Sequence, residues 1–250
     1  TLSQISTGKK ENKFGVNEKT FFELVNYCKN SKNIDLKCLS VHIGSQILDH
    51  KPYEKMLKII HKIMNKINYK FEFIDLGGGM GISYGDNNKK LNYKKYSNAI
   101  KKFLKNHKLK IIFEPGRSIV GNTGTLISKI VYIKESEKKN FIILDAAMND
   151  LMRPALYGAS HKTLPSIKKN KNSKKAYEVV GPICERTDKF TTLKNFQELR
   201  EKDIIAICDV GAYGMSLSSN YNVRPKPIEL LIKGSKIRII RKRQRLKDLI

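Results

Sequence analysis

Three short clusters carry the residue types from which an anion-binding or catalytic site is built: His42-Ile43-Gly44-Ser45-Gln46, Gly77-Gly78-Gly79 and Glu114-Pro115-Gly116-Arg117. Consecutive glycines can turn successive backbone N–H groups toward one point, which suits a phosphate; a glycine cluster at a strand end is also an ordinary turn. The His42 imidazole reads either as a structural histidine or, beside Ser45 and near the glycines, as a ring that stacks on a ligand whose phosphate the glycines hold. Glu114, just before a proline, reads either as a turn-capping carboxylate or as the partner of a protonated ring nitrogen. Arg117 is suited to clasp an anionic group with two parallel hydrogen bonds. The functional readings converge on one cofactor class, pyridoxal 5'-phosphate, whose ring acts as an electron sink when its nitrogen has such a partner.

Each cluster follows a run that reads as a strand. Phe71 to Leu76 is a short apolar run that empties into the glycines, Cys38 to Ile43 leads into Gly44, and Leu109 to Phe113 leads into Glu114. Apolar runs of strand length bounded by glycine are the pattern of strands covered on both faces. Helical patterns lie between them. Asn17 to Cys28 has Asn17 as N-cap and Phe21, Leu24, Val25 and Cys28 on one face; Tyr53, Met56, Leu57, Ile60, Met64 and Ile67 share another face, as do Tyr93, Tyr96, Ile100, Phe103 and Leu104. Ile5 to Val16 is polar and irregular. Alternating strands and helices predict parallel strands with helical crossovers. Clusters at C-terminal strand ends sit where a (β/α) barrel or doubly wound sheet assembles its active site.

Beyond about Gly121 the alternation stops. Thr125 to Lys134, Phe141 to Asp145, Glu178 to Ile183 and Ile204 to Asp209 read as strands with no helix between them, and Ile228 to Ile240 as a hairpin turning at Gly234-Ser235. Gln244 to Ile250 reads as a short helical tail. The expected organisation is α/β plus all-β: residues 1–120 form either a smaller open sheet or, where the chain starts in mid-barrel, the C-terminal part of a (β/α)8 TIM-type barrel, and residues 121–250 a β-rich domain of barrel or sandwich type. A complete barrel takes about 250 residues, and the few βα units within 1–120 leave its early strands unaccounted for.

Composition narrows the classes. The chain has 250 residues and a formal charge of +26, and no apolar run approaches the roughly 18 residues of a membrane span. No basic-then-apolar leader opens it, so a folded, cytoplasmic protein is expected. Cys28, Cys38, Cys184 and Cys208 show neither a CxxC pair nor a metal-ligand spacing; they read as reduced thiols, with no metal site. Lysine is spread over the polar faces of nearly every segment. Lys168 to Lys175 and Arg238 to Arg245 are the two dense runs, and no nucleic-acid-binding motif accompanies them. Neither a nucleic-acid nor a membrane partner is expected.

These residues resemble the alanine racemase-like group of pyridoxal phosphate enzymes that includes the ornithine, arginine and diaminopimelate decarboxylases, and the diaminopimelate decarboxylase family most. The resemblance runs over essentially the whole chain. Its carriers, in order, are Ser6 to Gly15 (STGKKENKFG), His42 to Ile47 (HIGSQI), Asp75 to Gly81 (DLGGGMG), Glu114 to Asn122 (EPGRSIVGN), Met148 to Tyr157 (MNDLMRPALY), Val180 to Glu185 (VGPICE) and Asp209 to Arg224 (DVGAYGMSLSSNYNVR).

The resemblance implies a role for each matching position. His42 would stack on the pyridoxal ring, Ser45 and Gly77, Gly78 and Gly79 would hold the phosphate, Glu114 would meet the pyridine nitrogen, and Gly116 and Arg117 would also bind the cofactor. Arg117, Arg153 and Tyr157 match substrate-binding positions, and Tyr213 one that touches phosphate and substrate. Cys184 matches the proton donor and Glu185 a substrate-recognition carboxylate, both reaching into the partner subunit's site, so a homodimer is implied. The implied reaction is decarboxylation of meso-2,6-diaminopimelate to L-lysine, the last step of lysine biosynthesis, with Cys184 returning a proton.

Two departures accompany the matches. The family's Schiff-base lysine lies on an early barrel strand upstream of the segment matched by Thr1, and no lysine here sits in a matching motif, so an N-terminally truncated chain, inactive alone, is expected. Arg186 stands where a small hydroxyl residue is usual, which bears on substrate geometry. The competing readings are a non-catalytic, partner-binding relative, a decarboxylase of ornithine or arginine, and a basic nucleic-acid binder on the same fold.

Overall fold

The computed structural model describes residues 13–85 and 89–250; the stretch Ile5 to Val16 and the resembling segment Ser6 to Gly15 fall mostly outside the described residues. The chain divides into two compact units, Thr1–Ser83 with Asn87–Ile119, and Tyr84–Asp86 with Val120–Ile250.

The first unit alternates helix and strand: α1 (Glu18–Asn30), β1 (Cys38–Ser40), α2 (Lys51–Lys66), β2 (Phe73–Asp75), α3 (Tyr93–Leu104) and β3 (Lys110–Ile112), followed by the single turn α4 (Arg117–Val120). Both α1 and α3 begin at asparagine caps. Asn17 accepts the Thr20 N–H at 2.9 Å and Asn92 the Lys95 N–H at 3.0 Å, each satisfying a donor that the first turn leaves unpaired. The parallel strands expected from the alternation are present, in the order β1-β2-β3, with Ile74 flanked by Leu39 and Ile111.

Apolar residues of α2 at i, i+3, i+4 and i+7, Tyr53, Met56, Leu57 and Ile60, pack with Tyr96, Ile100 and Phe103 of α3 against Leu39, Ile74 and Leu76. This buries the amphipathic faces that the 3.6-residue period marks out. The Tyr53 and Tyr96 rings lie 4.3 Å apart. Burial pushes the Tyr96 phenol up to about 12 and the Tyr53 phenol higher still. Tyr53 donates its hydroxyl hydrogen to the Gly78 carbonyl at 3.3 Å, so this core ends against the glycine run.

The strands are shorter than their apolar runs because the chains leave the ladder while still bonded to it. Val41 N–H reaches the Asp75 carbonyl at 2.9 Å, Leu76 N–H the Ile112 carbonyl at 3.1 Å, and Glu114 N–H the Gly77 carbonyl at 3.0 Å. These bonds carry the sheet's register into the three clusters.

The second unit is β-rich. It contains β4 (Thr125–Lys134), β5 (Asn140–Leu144), α5 (Arg153–Tyr157), β6 (Thr163–Pro165), β7 (Tyr177–Val180), β8 (Lys189–Leu193), β9 (Ile204–Cys208), α6 (Gly214–Leu217), β10 (Glu229–Lys233) and β11 (Lys236–Arg241). Six strands form a mixed sheet in the order β6-β9-β4-β5-β7-β8, in which β5 and β7 run parallel and the other neighbours antiparallel. Its core is Ile130, Ile142, Leu144, Val179, Ile205 and Ile207 with Leu151, Phe190 and Leu193. The strands β10 and β11 form a separate hairpin around Gly234, at φ +60°, where Leu230 faces Ile239 and Ile232 faces Ile237 with all four side chains exposed.

Four elements of this unit go beyond the sequence expectation. The one-turn helices α5 and α6 lie between strands where the sequence reading has no helix; α5 has Pro154 in its first turn and stops at Gly158, whose φ of 63° and N–H to the Pro154 carbonyl close the turn. β6, which contains a proline, and β8, which follows a polar tip, add two strands. The expected tail helix is only a 3-10 turn, Leu246–Asp248, closed by the Arg245 N–H on the Asp248 carboxylate at 2.7 Å.

Candidate active site

Because β1, β2 and β3 are parallel and in register, the segments that follow them emerge at one end of the sheet, His42 to Gln46 beside Gly77 to Gly79 and these beside Glu114 to Arg117. None of the three glycine positions has room for a side chain. A Cβ on Gly78 would stand 2.2 Å from the Glu114 carbonyl oxygen, and one on Gly79, at φ +84°, 2.2 Å from that of Gly44. On Gly77, at φ +64°, it would meet the Val41 carbonyl at 2.7 Å and His42 Nδ1 at 2.8 Å. The glycines therefore let three strand ends close to a distance that any other residue would forbid.

Their N–H groups are not equivalent. Gly77 donates to Asp75 Oδ1 at 2.8 Å, and Gly78 to His42 Nδ1 at 3.4 Å, whereas no protein acceptor meets the Gly79 N–H among the described residues. As an acceptor at Nδ1, the His42 ring carries its proton on Nε2. Asp75, buried at the end of β2, also accepts the Ser40 hydroxyl at 3.1 Å. It braces β1 and β2 immediately behind the glycines, a task that the sequence alone did not attach to it.

Arg117, buried at the start of α4, donates from Nη2 to Ser45 Oγ at 3.2 Å. This bond links the segment after β3 to the segment after β1. Glu114 is exposed at the same end, and a Cβ on Gly116 would meet nothing within 4 Å. A hydroxyl, a guanidinium and an N–H in segments that leave one sheet end are groups able to bind a multiply charged oxyanion.

In the second unit Arg153 opens α5 and is buried. The His161 imidazole is 2.9 Å from it at Nε2 and 2.9 Å from the Cys208 carbonyl at Nδ1. A carbonyl only accepts, so Nδ1 carries the proton and Nε2 receives the Arg153 N–H. The guanidinium also lies over the Tyr84 ring, 4.4 Å from its centroid. Tyr157 sits half-buried at the other end of α5.

Cys184 and Glu185 are exposed at the tip between β7 and β8. The Tyr221 hydroxyl donates to Glu185 Oε1, and Thr187 Oγ1 to Oε2 at 3.0 Å; the neighbouring carboxylate raises the Tyr221 phenol above its ordinary range. Tyr213, half exposed, holds a left-handed φ of 64° at the start of α6, a conformation uncommon for a bulky residue. Buried Asn149 and half-buried Asp150 form the turn before α5. Asp150 accepts the Ala147 N–H at 2.9 Å and Asn149 Nδ2 at 3.1 Å, and Arg224 Nε donates to Asn149 Oδ1 at 3.0 Å. Burial raises the Asp150 carboxyl above its usual range despite these donors. Thus Arg153 and Tyr157 share one helix, Cys184 and Glu185 one tip, and Tyr213 a third place.

Among the described residues no group of three His, Cys, Asp or Glu could hold a metal ion, and no helix is long and apolar enough to cross a membrane.

Residues 1–121 match the family model described as pyridoxal-dependent decarboxylase, pyridoxal binding domain. The chain is 43% identical over its full length to the diaminopimelate decarboxylase of Helicobacter pylori and 37% identical over 98% of its length to that of Aquifex aeolicus, covering 62% and 59% of those proteins. It superposes over its full length with a TM-score of 0.91 on the crystal structure of the Helicobacter pylori enzyme complexed with L-lysine, of which it covers 62%. The chain thus spans about three fifths of the length of the curated relatives it matches.

Proposed function

We propose, from the premise that the chain is homologous over its whole length to diaminopimelate decarboxylases, that it contributes cofactor-binding and substrate-binding residues to a pyridoxal-phosphate-dependent enzyme that decarboxylates meso-2,6-diaminopimelate to L-lysine. The observation that carries this reading is the glycine run, which excludes a Cβ at three consecutive positions at the mouth of a parallel sheet, beside a hydroxyl and a buried guanidinium. A phosphate needs such close approach of backbone and such donors, so the residues present fit pyridoxal phosphate. When bound, this cofactor supplies the electron-withdrawing ring that lets carbon dioxide leave an α-amino carbon.

The chain's own residues then divide the work. Ser45, the Gly79 N–H, Gly116 and Arg117 bind the phosphate, with Gly77 and Gly78 letting the strand ends approach one another and Tyr213 adding a phenol. The His42 ring stacks on the cofactor, oriented by the Gly78 N–H at its Nδ1. The Glu114 carboxylate holds a proton on the pyridine nitrogen. Arg153 binds a substrate carboxylate with Arg117 and Tyr157, and Glu185 the distal ammonium, with Tyr221 and Thr187 fixing the carboxylate's orientation. Cys184 delivers a proton to the α-carbon that carbon dioxide has left. Cys184 and Glu185 serve the partner subunit of a homodimer, in the cytoplasm. The first unit belongs to a (β/α)8 barrel, and the second, its two short helices aside, to an all-β domain.

The deciding experiment assays the full-length protein for carbon dioxide release from meso-diaminopimelate, ornithine and arginine side by side. Release from diaminopimelate alone is expected. Release from ornithine or arginine in preference, or from none of the three by a dimer loaded with pyridoxal phosphate, overturns the proposal.

A further inference from the structure

Asp188 is a buried carboxylate to which the reaction above gives no part. It lies just before β8, at the base of the exposed tip that carries Cys184 and Glu185, and only 2% of its surface is exposed. Its Oδ1 accepts the Met148 N–H at 2.7 Å and its Oδ2 the Ile183 N–H at 2.8 Å. Its own backbone closes the tip as well: the Asp188 N–H reaches the Glu185 carbonyl at 3.1 Å, and the Gly181 N–H reaches the Asp188 carbonyl at 3.0 Å.

Four bonds from one residue therefore fix both ends of the Ile183-to-Asp188 turn and tie it to a different segment, the Met148 turn that precedes α5. Gly181 makes this possible. A Cβ there would stand 2.3 Å and 2.6 Å from the two carboxylate oxygens and 2.7 Å from the Ala147 Cα, so only glycine at this position leaves the carboxylate its place. Cys184 and Glu185 lie in the same turn, both exposed.

We infer that Asp188 is a positioning residue: its carboxylate holds the Cys184–Glu185 tip against the Met148 turn and so sets where the thiol is presented. The inference rests on the proposed role of Cys184 for its consequence in catalysis, and on geometry alone for its consequence in the position of the thiol. No neutral side chain of the same shape can do this. In Asp188→Asn an amide N–H must face the N–H of either Met148 or Ile183, donor against donor, and one of the two tethers is lost.

The test uses the full-length protein and the variant Asp188→Asn. Alkylation by iodoacetamide, resolved by peptide mass, is expected to be at least threefold faster at Cys184 in the variant and unchanged at the less exposed Cys28, Cys38 and Cys208. Turnover is expected to fall at least tenfold in kcat, with KM for the substrate within twofold. A Cys184 rate less than threefold above the parent's overturns the inference. The variant Cys184→Ala separates the two readings: full turnover there sinks the proton-donor role, while the alkylation rate continues to judge Asp188. Should Asp188→Asn not fold, hydrogen exchange on the parent protein decides instead. The Met148 and Ile183 amides are expected to be protected at least a hundredfold relative to the Cys184 amide, and equal exchange would refute the tether.

Discussion

The backbone carbonyl oxygen of Glu114 lies 2.2 Å from the point that a Cβ on Gly78 would occupy. The two residues lie in the segments that follow the adjacent strands β2 and β3, and the contact is possible only because Gly78 has no side chain. Gly78→Ala must push the segment after β3 away from that after β2. A loss of about 2 kcal/mol, within the range of overpacked sites, is expected in chemical denaturation. Gly116→Ala, at a position with open space around it, should change stability by less than about 0.5 kcal/mol.

Glu114→Gln keeps the size of the side chain and its exposure while removing the charge that would hold a proton on the ring nitrogen. Turnover is expected to fall at least a hundredfold in kcat, with little change in KM. Undiminished kcat would contradict the assignment.

His161 receives the Arg153 N–H at 2.9 Å while its other nitrogen is engaged by the Cys208 carbonyl. His161→Leu removes one hydrogen-bond acceptor of a buried guanidinium. KM for the substrate should rise about tenfold, a binding loss of about 1.4 kcal/mol, with kcat less affected. His161→Gln, which retains an acceptor, should recover part of the loss. Equal kinetics for the Leu variant and the parent would remove His161 from the site.

Glu178 stands between Lys189 at 3.1 Å and Lys139 at 3.2 Å. The Lys189 hydrogen bond is the leading cause that holds its carboxyl below the usual range. A carboxyl depressed in the folded state adds stability above its unfolded value, and the gain disappears as pH falls through the depressed folded value. Glu178→Gln should therefore destabilise the protein at neutral pH by less than about 1 kcal/mol, since both lysines are partly in water. The difference from the parent should vanish in acid and shrink in high salt. A difference that persists in acid would mean that packing, not charge, sets the effect.

Local periodicity carried most of what could be read in advance. The α2 residues Tyr53, Met56, Leu57 and Ile60 reveal their face by spacing alone, Asn17 is a cap by type, and β4 spans the same Thr125–Lys134 in the sequence reading and in the structure. Elements of one turn escape such reading because α5 and α6 are too short to show a period. The bracing residues escape it for a different reason. Asp188 meets Met148 across 40 residues and His161 meets Cys208 across 47, and a carboxylate or imidazole bears no local mark of a partner so distant in the chain. Asp75 lay inside a recognised segment, yet its bonds to Ser40 and Gly77 became visible only once β1 and β2 were paired.

The β10–β11 hairpin makes the second unit uneven in its cooperativity. Its apolar pairs, Leu230 with Ile239 and Ile232 with Ile237, are as accessible to water when the hairpin is formed as many loop residues are, so opening it uncovers little new apolar surface. Urea should then hardly promote that opening, and the hairpin amides should exchange with a slope near zero against denaturant. Amides of β4 and β5, whose core must be exposed before they are released, should exchange with the steep slope of global unfolding. Such slopes would mark the hairpin as a foldon of its own, with a free energy of opening separate from that of the sheet it follows.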